Sequence, residues 1–542
     1  MTLRIVILGG GFGGLFSARE IKKRLKEDAI VELINDQNFF VFQPLLPEVA
    51  AGSITAPHAV SPLRFLLKNV AVRKARVHRV DFEKNHVVVF QGVQRRPTVV
   101  PYDHLVIALG QSVDLSGTPG LADHALTMKT LGDAERLRSH VIEKLEHADI
   151  TQLPEVKKEA LTFCVIGAGF SGIETVGEMK ELIDRSLKYY PHISADEIRV
   201  VVVEFADRIL SELPESLGSY AKAQLEKRGI EVLLNTGVAS ATGTRMFTTN
   251  GIEIHTRTIV ATIGNAPAQI VSKMDLPKQH GRIAVERNLS VKGQTGVWAL
   301  GDCALIPMID EPELRSDFAP PTAQFAVREA VTIAKNIQST LSDRETSNFE
   351  YSSQGSLASL GARRGVAQVW GMNFSGLLAW LLWRAYYVFF LPGFGTKIRV
   401  LLNWFLDAIS PRSVVQTTPP KTVSARYVHY RAGDRVFEKG NRTDGIYTII
   451  RGKMELTYND SQTGAMKTSV LNEGDHFGER IMLGDDCRAG TVKAVEDSKV
   501  LVLGRDEFMK LAESMPILRD YFEERMRRRY GVDWKPLTDG SS

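Results

Sequence analysis

Sulfur is scarce in this chain. Its 542 residues hold three cysteines, Cys164, Cys303 and Cys487, far apart and without a CxxC pair. That spacing excludes a disulfide framework, a zinc ribbon and a local redox-active dithiol, and it fits a reducing, cytosolic setting. No His/Cys cluster suggests a metal, and none is required. Net charge is equally thin: 67 Lys and Arg against 63 Asp and Glu leave +4, too weak a bias to make nucleic acid the partner. No secretory signal is read at the start. Residues 3–8, Leu-Arg-Ile-Val-Ile-Leu, are a short run that meets glycines at once, and a buried first strand explains them better. The apolar and charged fractions, 44% and 24%, are those of ordinary globular protein, which favours neither disorder nor a polytopic membrane protein. A chain of this length exceeds one hydrophobic core, and three or four domains are expected.

Glycine, by contrast, recurs at telling places. LRIVILGGGFGGLFSAREIKKRL starts at Leu3 and LTFCVIGAGFSGIETVGEMKELI at Leu161. Each opens on an apolar run of strand length, as a parallel strand buried on both faces requires, then turns to helical periodicity. Gly9, Gly11 and Gly14 form a GxGxxG at the first junction. The first glycine allows a tight turn, the second lets a pyrophosphate approach the backbone, and the third lets helix and strand pack. The helix N-terminus adds partial positive charge. Gly167, Gly169 and Gly172 repeat the pattern. Downstream, IRVVVVE ends at Glu204, which can accept from ribose hydroxyls and would repel a 2′-phosphate, so NADH is expected over NADPH. Arg208, close by, softens that preference. The long gap before Glu204 implies an insertion around 189–197. In the first unit VELIN ends at Asn35, which can bond a ribose hydroxyl without charge assistance. Residues 145–160 read as the connection between the units. GVWALGD closes at Asp302, downstream of both fingerprints, and YDHLVIALG (102–110) lies between them.

Beyond residue 350 the composition changes. GLLAWLLWRAYYVFFL (376–391) is nearly all apolar and aromatic, contains Arg384 and is stopped by Pro392. It is too short for a comfortable span. KIRVLLNWFLDAI follows at helical spacing, with Lys397, Arg399 and Asp407. Aromatic helices with basic residues suit a membrane interface; the alternative is burial in a homodimer or domain interface. TTPPK is a linker by composition. Short β-type segments then alternate with glycines, including AGDRVFEKG and a hairpin from Gly445 to Gly452, and residues 505–529 are helical.

Together GGGFGG (9–14), NFFVFQPLLPEVAAG (38–52), LVIALG (105–110), GAGFSGIE (167–174), VEFADRIL (203–210), WALGDCA (298–304) and PPTAQFAVREA (320–330) make residues 1–415 resemble the type II NADH dehydrogenases. Those are single-chain FAD enzymes that reduce quinone at a membrane surface. The resemblance implies FAD on Gly9, Gly11, Gly14, Asn35, Gln43, Gly110, Gly301, Asp302 and Ala323. It implies NADH on Gly167, Gly169, Gly172, Glu204 and Gly264, with ping-pong hydride exchange. The family's quinone motif, AQxAxQ, runs here from Ala323 through Gln324 to Arg328, an arginine in place of the second glutamine. Arg328 could stabilise a developing quinol anion, and it leaves open a non-quinone acceptor. Glu174 aligns with an acid the family places near nicotinamide and quinone; a helix-terminal carboxylate stabilised by the dipole is a reading of equal weight. Glu48, in QPLLPE, could lie near the flavin, but a surface loop is the expected place. Without a dithiol, electrons must leave the flavin directly for a diffusible acceptor.

Residues 476–497, HFGERIMLGDDCRAGTVKAVED, resemble the phosphate cassette of cyclic-nucleotide-binding domains. Gly478 allows close backbone approach, Glu479 can accept from a ribose 2′-OH, Arg488 can fork onto the cyclic phosphate, and Ala489 looks like the cAMP type rather than cGMP. Arg480 and Gly490 depart from that family's pattern.

The fold implied is α/β. Two Rossmann-like domains bind FAD and NADH, an amphipathic helical membrane-anchor segment follows, and a jelly-roll-like β-roll binds cyclic nucleotide. The FAD domain takes 1–115 and 285–345 around an NADH domain at 116–284. A membrane-association region at 346–415, a linker at 416–424, the cyclic-nucleotide domain at 425–530 and a tail at 531–542 complete the chain. The expected activity is NADH:quinone reduction, peripheral on a cytoplasmic membrane face and regulated by cAMP. The alternatives are a slow flavin-based redox sensor and a soluble NAD(P)H reductase.

Overall fold

The computed structural model describes residues 3–92, 96–416, 425–441, 445–459, 465–480 and 487–530. The linker expected at 416–424 lies outside the described residues from 417 on, and so does the whole tail at 531–542.

The first unit begins with β1 (Leu3–Leu8), α1 (Phe12–Leu25), β2 (Ala29–Asn35) and the short α2 (Leu46–Ala50). It continues through β3 (Ala71–Asp81), β4 (His86–Gln91), β5 (Arg96–Pro101) and β6 (His104–Ile107). Next come α3 (Leu121–His124), β7 (Leu126–Thr127), α4 (Leu131–Ile150), β8 (Thr162–Ile166), α5 (Phe170–Ser186), β9 (Arg199–Val203), β10 (Ile230–Leu233) and β11 (Thr258–Ala261). The chain then returns through β12 (Val297–Ala299) and α6 (Ala323–Leu341). One sheet has the order β12-β6-β1-β2-β3-β4-β5, the other β7-β11-β8-β9-β10. Residues Ile5 to Leu8 are fully buried, because β1 pairs in parallel with β2 on one side and β6 on the other. β8 sits likewise between β9 and β11. Strand order reverses beside each glycine-bearing strand, and such a switch point leaves a crevice at the strand ends where ligands bind.

The expected connection at 145–160 is mostly helical: it is the end of α4 and the helix Pro154–Ala160. A reciprocal cap starts α4, in which Thr130 Oγ1 accepts from Asp133 N and Asp133 Oδ2 accepts from Thr130 N. The insertion before Glu204 forms two 3-10 turns, Leu187–Tyr189 and Ala195–Glu197.

A meander of β13 (Gly355–Gly361), β14 (Arg364–Val369) and β15 (Met372–Ser375) leads into α7 (Gly376–Phe390) and α8 (Phe394–Ile409). Gly393, at φ 92°, makes the turn between these helices. Each helix buries one face, with Ala379 and Trp383 on α7 and Thr396, Val400 and Trp404 on α8. The other face leaves Leu377, Leu381, Phe389, Phe394, Phe405 and Ile409 half exposed or more. Among the described residues, no helix is long and apolar enough to cross a membrane.

The C-terminal module contains β16 (Ala425–Tyr430), β17 (Arg435–Phe437), β18 (Gly445–Arg451), β19 (Met454–Asn459), β20 (Met466–Leu471), β21 (His476–Phe477), β22 (Gly490–Ala494) and β23 (Ser498–Gly504). Helices α9 (Arg505–Ser514) and α10 (Pro516–Tyr530) close it. Its sheets are β16-β23-β18-β21 and β17-β22-β19-β20. The hairpin expected from Gly445 to Gly452 is instead one strand, β18, after which Gly452 at φ 95° leads into β19 in the opposite sheet. Glycine is required at that position, since a Cβ there would stand 2.3 Å from Ser498 Oγ. The module meets the second unit at α3, where His429 N donates to His124 Nε2 at 3.0 Å and Lys499 Nζ lies 3.3 Å from Asp123.

Candidate functional site

At the first loop the geometry imposes glycine. A Cβ on Gly9, at φ 103°, would stand 2.2 Å from Ala108 O, and one on Gly14 would stand 1.9 Å from Gly9 O. Gly11 caps α1 with open space around it and no side-chain cap, leaving the first N–H groups of α1 directed at the crevice. Asn35 Oδ1 accepts from Gly10 N at 2.9 Å, so Asn35 braces the loop itself. Across the crevice, Gln43 Nε2 donates to Lys129 O at 3.5 Å, Lys129 Nζ lies 4.0 Å from Asp302 Oδ2, and Gln111, next to Gly110, donates to Asp302 O at 3.4 Å. Burial pushes the Asp302 carboxyl up. Gly301 N donates to Glu329 Oε2 at 2.7 Å, and burial pushes Glu329 up to about 8. Ala323 opens α6, where Thr322 Oγ1 is shielded from solvent with no hydrogen-bond partner among the described residues. An open glycine cap, an orphan hydroxyl and a carboxylate at the strand end fit FAD.

The second loop repeats the design. A Cβ on Gly172 would stand 1.8 Å from Gly167 O, while Gly169 has open space. Glu204 accepts from Ala168 N and, at 2.9 Å, from Ala206 N, as Asn35 does from Gly10. Arg208 is held in its own loop, donating to Ser211 O at 2.6 Å and Leu213 O at 3.2 Å. Gly264, at φ 80°, is where the two units cross: a Cβ there would stand 2.4 Å from Asp114 O.

Beside this loop lies a set of buried carboxylates. Glu174, on α5, is 6% exposed; its Oε1 accepts from Trp383 Nε1 at 2.7 Å and from Ser359 N at 3.1 Å. Burial pushes it up to about 8. Glu48 is not in a surface loop. It lies within α2, 2% exposed, covered by α7 and α8, with Trp404 Nε1 donating to it at 2.8 Å and Arg384 Nη2 at 3.3 Å. Burial, partly offset by Arg384, pushes it up to about 7. Arg384 stacks over Trp380 and Trp404, 3.9 and 4.4 Å from the ring centroids. Glu178, a turn along α5 from Glu174, is buried and also raised by burial.

On α6, Gln324 Oε1 accepts from Tyr351 O–H at 3.0 Å, and Arg328 lies 4.6 Å over the Tyr351 ring. Sequence reasoning missed Glu178, Glu329, Tyr351, Trp383 and Trp404. Only Glu329, inside PPTAQFAVREA, carried a motif signal. Cys164 and Cys303 are fully buried, their thiols pushed up to about 12 and about 11. Both are poor thiolates.

In the module, Glu479 is 1% exposed and Arg488 4%. Arg488 donates to Gly445 O at 2.8 Å and Gly478 O at 3.3 Å and lies 4.2 Å over the Phe437 ring. Gly478 takes φ 86°, and a Cβ there would stand 2.6 Å from Arg488 Nη1. Ala489 is half-buried beside them. Gly490 leaves room for Thr457 O, 2.7 Å from where its Cβ would be. Residues 481–486 of the cassette lie outside the described residues.

Twin glycine-braced loops on interleaved sheets define a two-dinucleotide oxidoreductase, and residues 3–330 match the pyridine nucleotide-disulphide oxidoreductase family. Residues 353–413 match the NDH2 C-terminal domain and 427–515 the cyclic nucleotide-binding domain. The chain is 31% identical over 440 residues to the type II NADH:quinone oxidoreductase Ndh of Mycobacterium tuberculosis, covering 78% of this chain and 92% of that one. It is 28% identical over 380 residues to the type II NADH:quinone oxidoreductase of Staphylococcus aureus, 69% of this chain and 91% of that one. The structure of NDH2 from Plasmodium falciparum in complex with NADH shares the fold, with TM-score 0.71 at 20% identity, covering 77% of this chain and 100% of that one. The chain belongs to the type II NADH:quinone oxidoreductase family, with a cyclic nucleotide-binding domain at its C-terminal end.

Two outcomes follow from this geometry. Gly172→Ala drives a methyl into Gly167 O, 1.8 Å away; NADH-driven bleaching of the flavin is expected to slow at least about tenfold with flavin content retained. Glu174 holds its proton up to about 8 when folded, against 4.5 ordinarily. Between those values the folded state binds more protons than the unfolded, so stability falls as pH rises. Each unit of displacement is worth about 1.4 kcal/mol. Chemical denaturation at pH 8 should therefore find Glu174→Gln more stable than wild type by on the order of 2 kcal/mol, with the gain absent near pH 4.

Proposed function

We propose that the chain oxidises NADH and reduces a quinone at a membrane surface. The observation that carries this reading is that α7 and α8, apolar on their outer faces, send Trp383 and Trp404 inward to the carboxylates beside the second glycine loop. A lipid-facing surface and a proton-bearing site are thus two sides of one helix pair. Gly9, Gly11, Gly14, Asn35, Gln43, Gly110, Gly301, Asp302 and Ala323 would hold FAD, which would supply two-electron chemistry between the substrates. Gly167, Gly169, Gly172 and Gly264 shape the NADH crevice, and Glu204, with Arg208 turned away, disfavours a 2′-phosphate.

The hydride leaving NADH carries two electrons and one proton, whereas quinol needs two protons. The second must come through the protein. Glu174, protonated at neutral pH, is the donor in this reading. Its Oε1 accepts two hydrogen bonds, which places the proton on Oε2. Glu48 replenishes it. Gln324 and the Arg328 charge face the acceptor and favour negative charge developing on quinone oxygens. The outer face of α7 and α8, flanked by Lys397 and Arg399, rests on the lipid headgroups. In the module, Glu479 and Arg488 take the ribose and phosphate of a cyclic nucleotide, with Ala489 favouring cAMP, and its binding alters turnover through different affinity for two states of the enzyme.

Anaerobic reduction by NADH followed by mixing with quinone tests the reading. Glu174→Gln is expected to slow reoxidation by about 100-fold while reduction by NADH stays within a few fold; unchanged reoxidation removes the acid role. Adding cAMP is expected to shift the steady-state rate in wild type and not in Arg488→Gln. A response that persists in that variant assigns the effect elsewhere.

A further inference from the structure

Arg412 lies outside every motif that pointed to the site, yet buried charge from several elements converges on it. Its side chain is 5% exposed. Nε meets Asp407 Oδ1 at 2.8 Å, Nη2 meets Glu178 Oε2 at 3.4 Å, and Nη1 donates to Ala51 O at 3.3 Å. Ala51 is the residue that ends α2, the helix carrying Glu48. Asp407 in turn takes Arg185 Nη1 at 3.2 Å. The remaining charges around the cluster are Glu174 and Glu181 on α5, Arg384 on α7 and Arg228 after the helix Glu215–Lys227, which pairs with Glu181 at 3.5 Å. Arg138 on α4 holds the backbone just beyond, donating to Ser413 O at 2.6 Å and Val415 O at 3.3 Å. Residues 412–415 are thus clamped against α2, α4 and α5, immediately before the chain runs toward the cyclic-nucleotide module.

We infer that Arg412 is a positioning residue for proton delivery: by gripping Glu178 and the end of α2 it fixes Glu48 beside Glu174 and anchors the root of the C-terminal module in the same cluster. The inference rests on the reading that Glu174 and Glu48 handle the quinol's proton. Its physics is the balance of buried charge. The guanidinium favours the ionised forms of Glu178 and Glu48, whereas an ionised Glu178 disfavours that of Glu48. Removing the cation makes the cluster hold protons to higher pH; neutralising Glu178 makes Glu48 release its proton at lower pH. A side chain that only supported the fold would give no such pair of opposite signs.

The test uses the full-length, flavin-loaded protein, reduced with NADH and reoxidised by a short-chain quinone across a pH series. Reoxidation in wild type is expected to fall at alkaline pH as the acid ionises, along a limb that belongs to the coupled carboxylates jointly. Arg412→Gln is expected to move that limb up by about half a pH unit or more, Glu178→Gln to move it down, and Arg412→Lys to leave it in place. An unmoved limb in flavin-replete Arg412→Gln, or movement of both neutral variants in one direction, overturns the inference. If Arg412→Gln does not retain flavin, the decision passes to Glu178→Gln and Arg412→Lys: a downward limb in the first with none in the second supports it, and any other pattern overturns it. Glu174→Gln and Glu48→Gln examine the underlying reading separately. A limb that survives in both sinks the proton role, and the inference with it.

Discussion

The indole N–H of Trp383 reaches Glu174 at 2.7 Å, and that of Trp404 reaches Glu48 at 2.8 Å. These two bonds tie a pair of helices that are largely apolar to carboxylates on α5 and α2. A carboxylate taken out of water costs several kcal/mol unless hydrogen bonds and countercharge replace its hydration. Here the replacement is partial. Glu174 receives two hydrogen bonds and no cation at contact distance among the described residues, and its proton is retained to about 8. Glu48 has Arg384 as well and is raised less, to about 7. The difference between two carboxyls in one cluster follows from which of them the arginine touches.

The same economy of contacts governs the nucleotide crevices. Each glycine loop must bring a helix N-terminus close to a strand end, and the clearances at Gly14 and Gly172 exclude any side chain. Each loop is also braced from the next strand, by Asn35 in one unit and Glu204 in the other. The brace explains why asparagine serves at the first site. An amide oxygen accepts from Gly10 N as a carboxylate would, and what is lost is charge assistance toward a ribose and not the shape of the loop.

How much of this was legible in the sequence depends on how local the cause is. The glycine loops, the buried β1, the core position of Cys164 and the two apolar helices follow from short-range sterics and periodicity, and the structure has them where the residues put them. Glu48 was misread because nothing within QPLLPE reveals burial; its cover comes from Arg384 and Trp404, more than 300 residues away in the chain. The turn at Gly452 looked like a hairpin because glycine between β-type segments is the usual hairpin signal. Whether consecutive strands pair or part into opposite sheets depends on distant partners, here β23 for β18 and β22 for β19. Glu178 and Arg412 left no trace at all, since an ion pair between distant residues has no local pattern.

The C-terminal module touches the second unit at α3 and around Arg245–Phe247, while the chain leading toward it is held at Arg412. At α3, His124 Nε2 accepts from the His429 backbone, which requires a neutral ring; burial, pushing His124 down to about 4, keeps it so. Beside it Lys499 pairs with Asp123, Arg245 pairs with the buried Asp434, and Arg431 lies 3.9 Å over the Phe247 ring. The clamp at Arg412 is buried and multiply bonded. A ligand bound to the module can bias the carboxylates only by as much as its affinity differs between two states of the enzyme. At that clamp the charge reaching Glu48 comes from two sides: Arg412 favours its ionised form and Glu178 disfavours it.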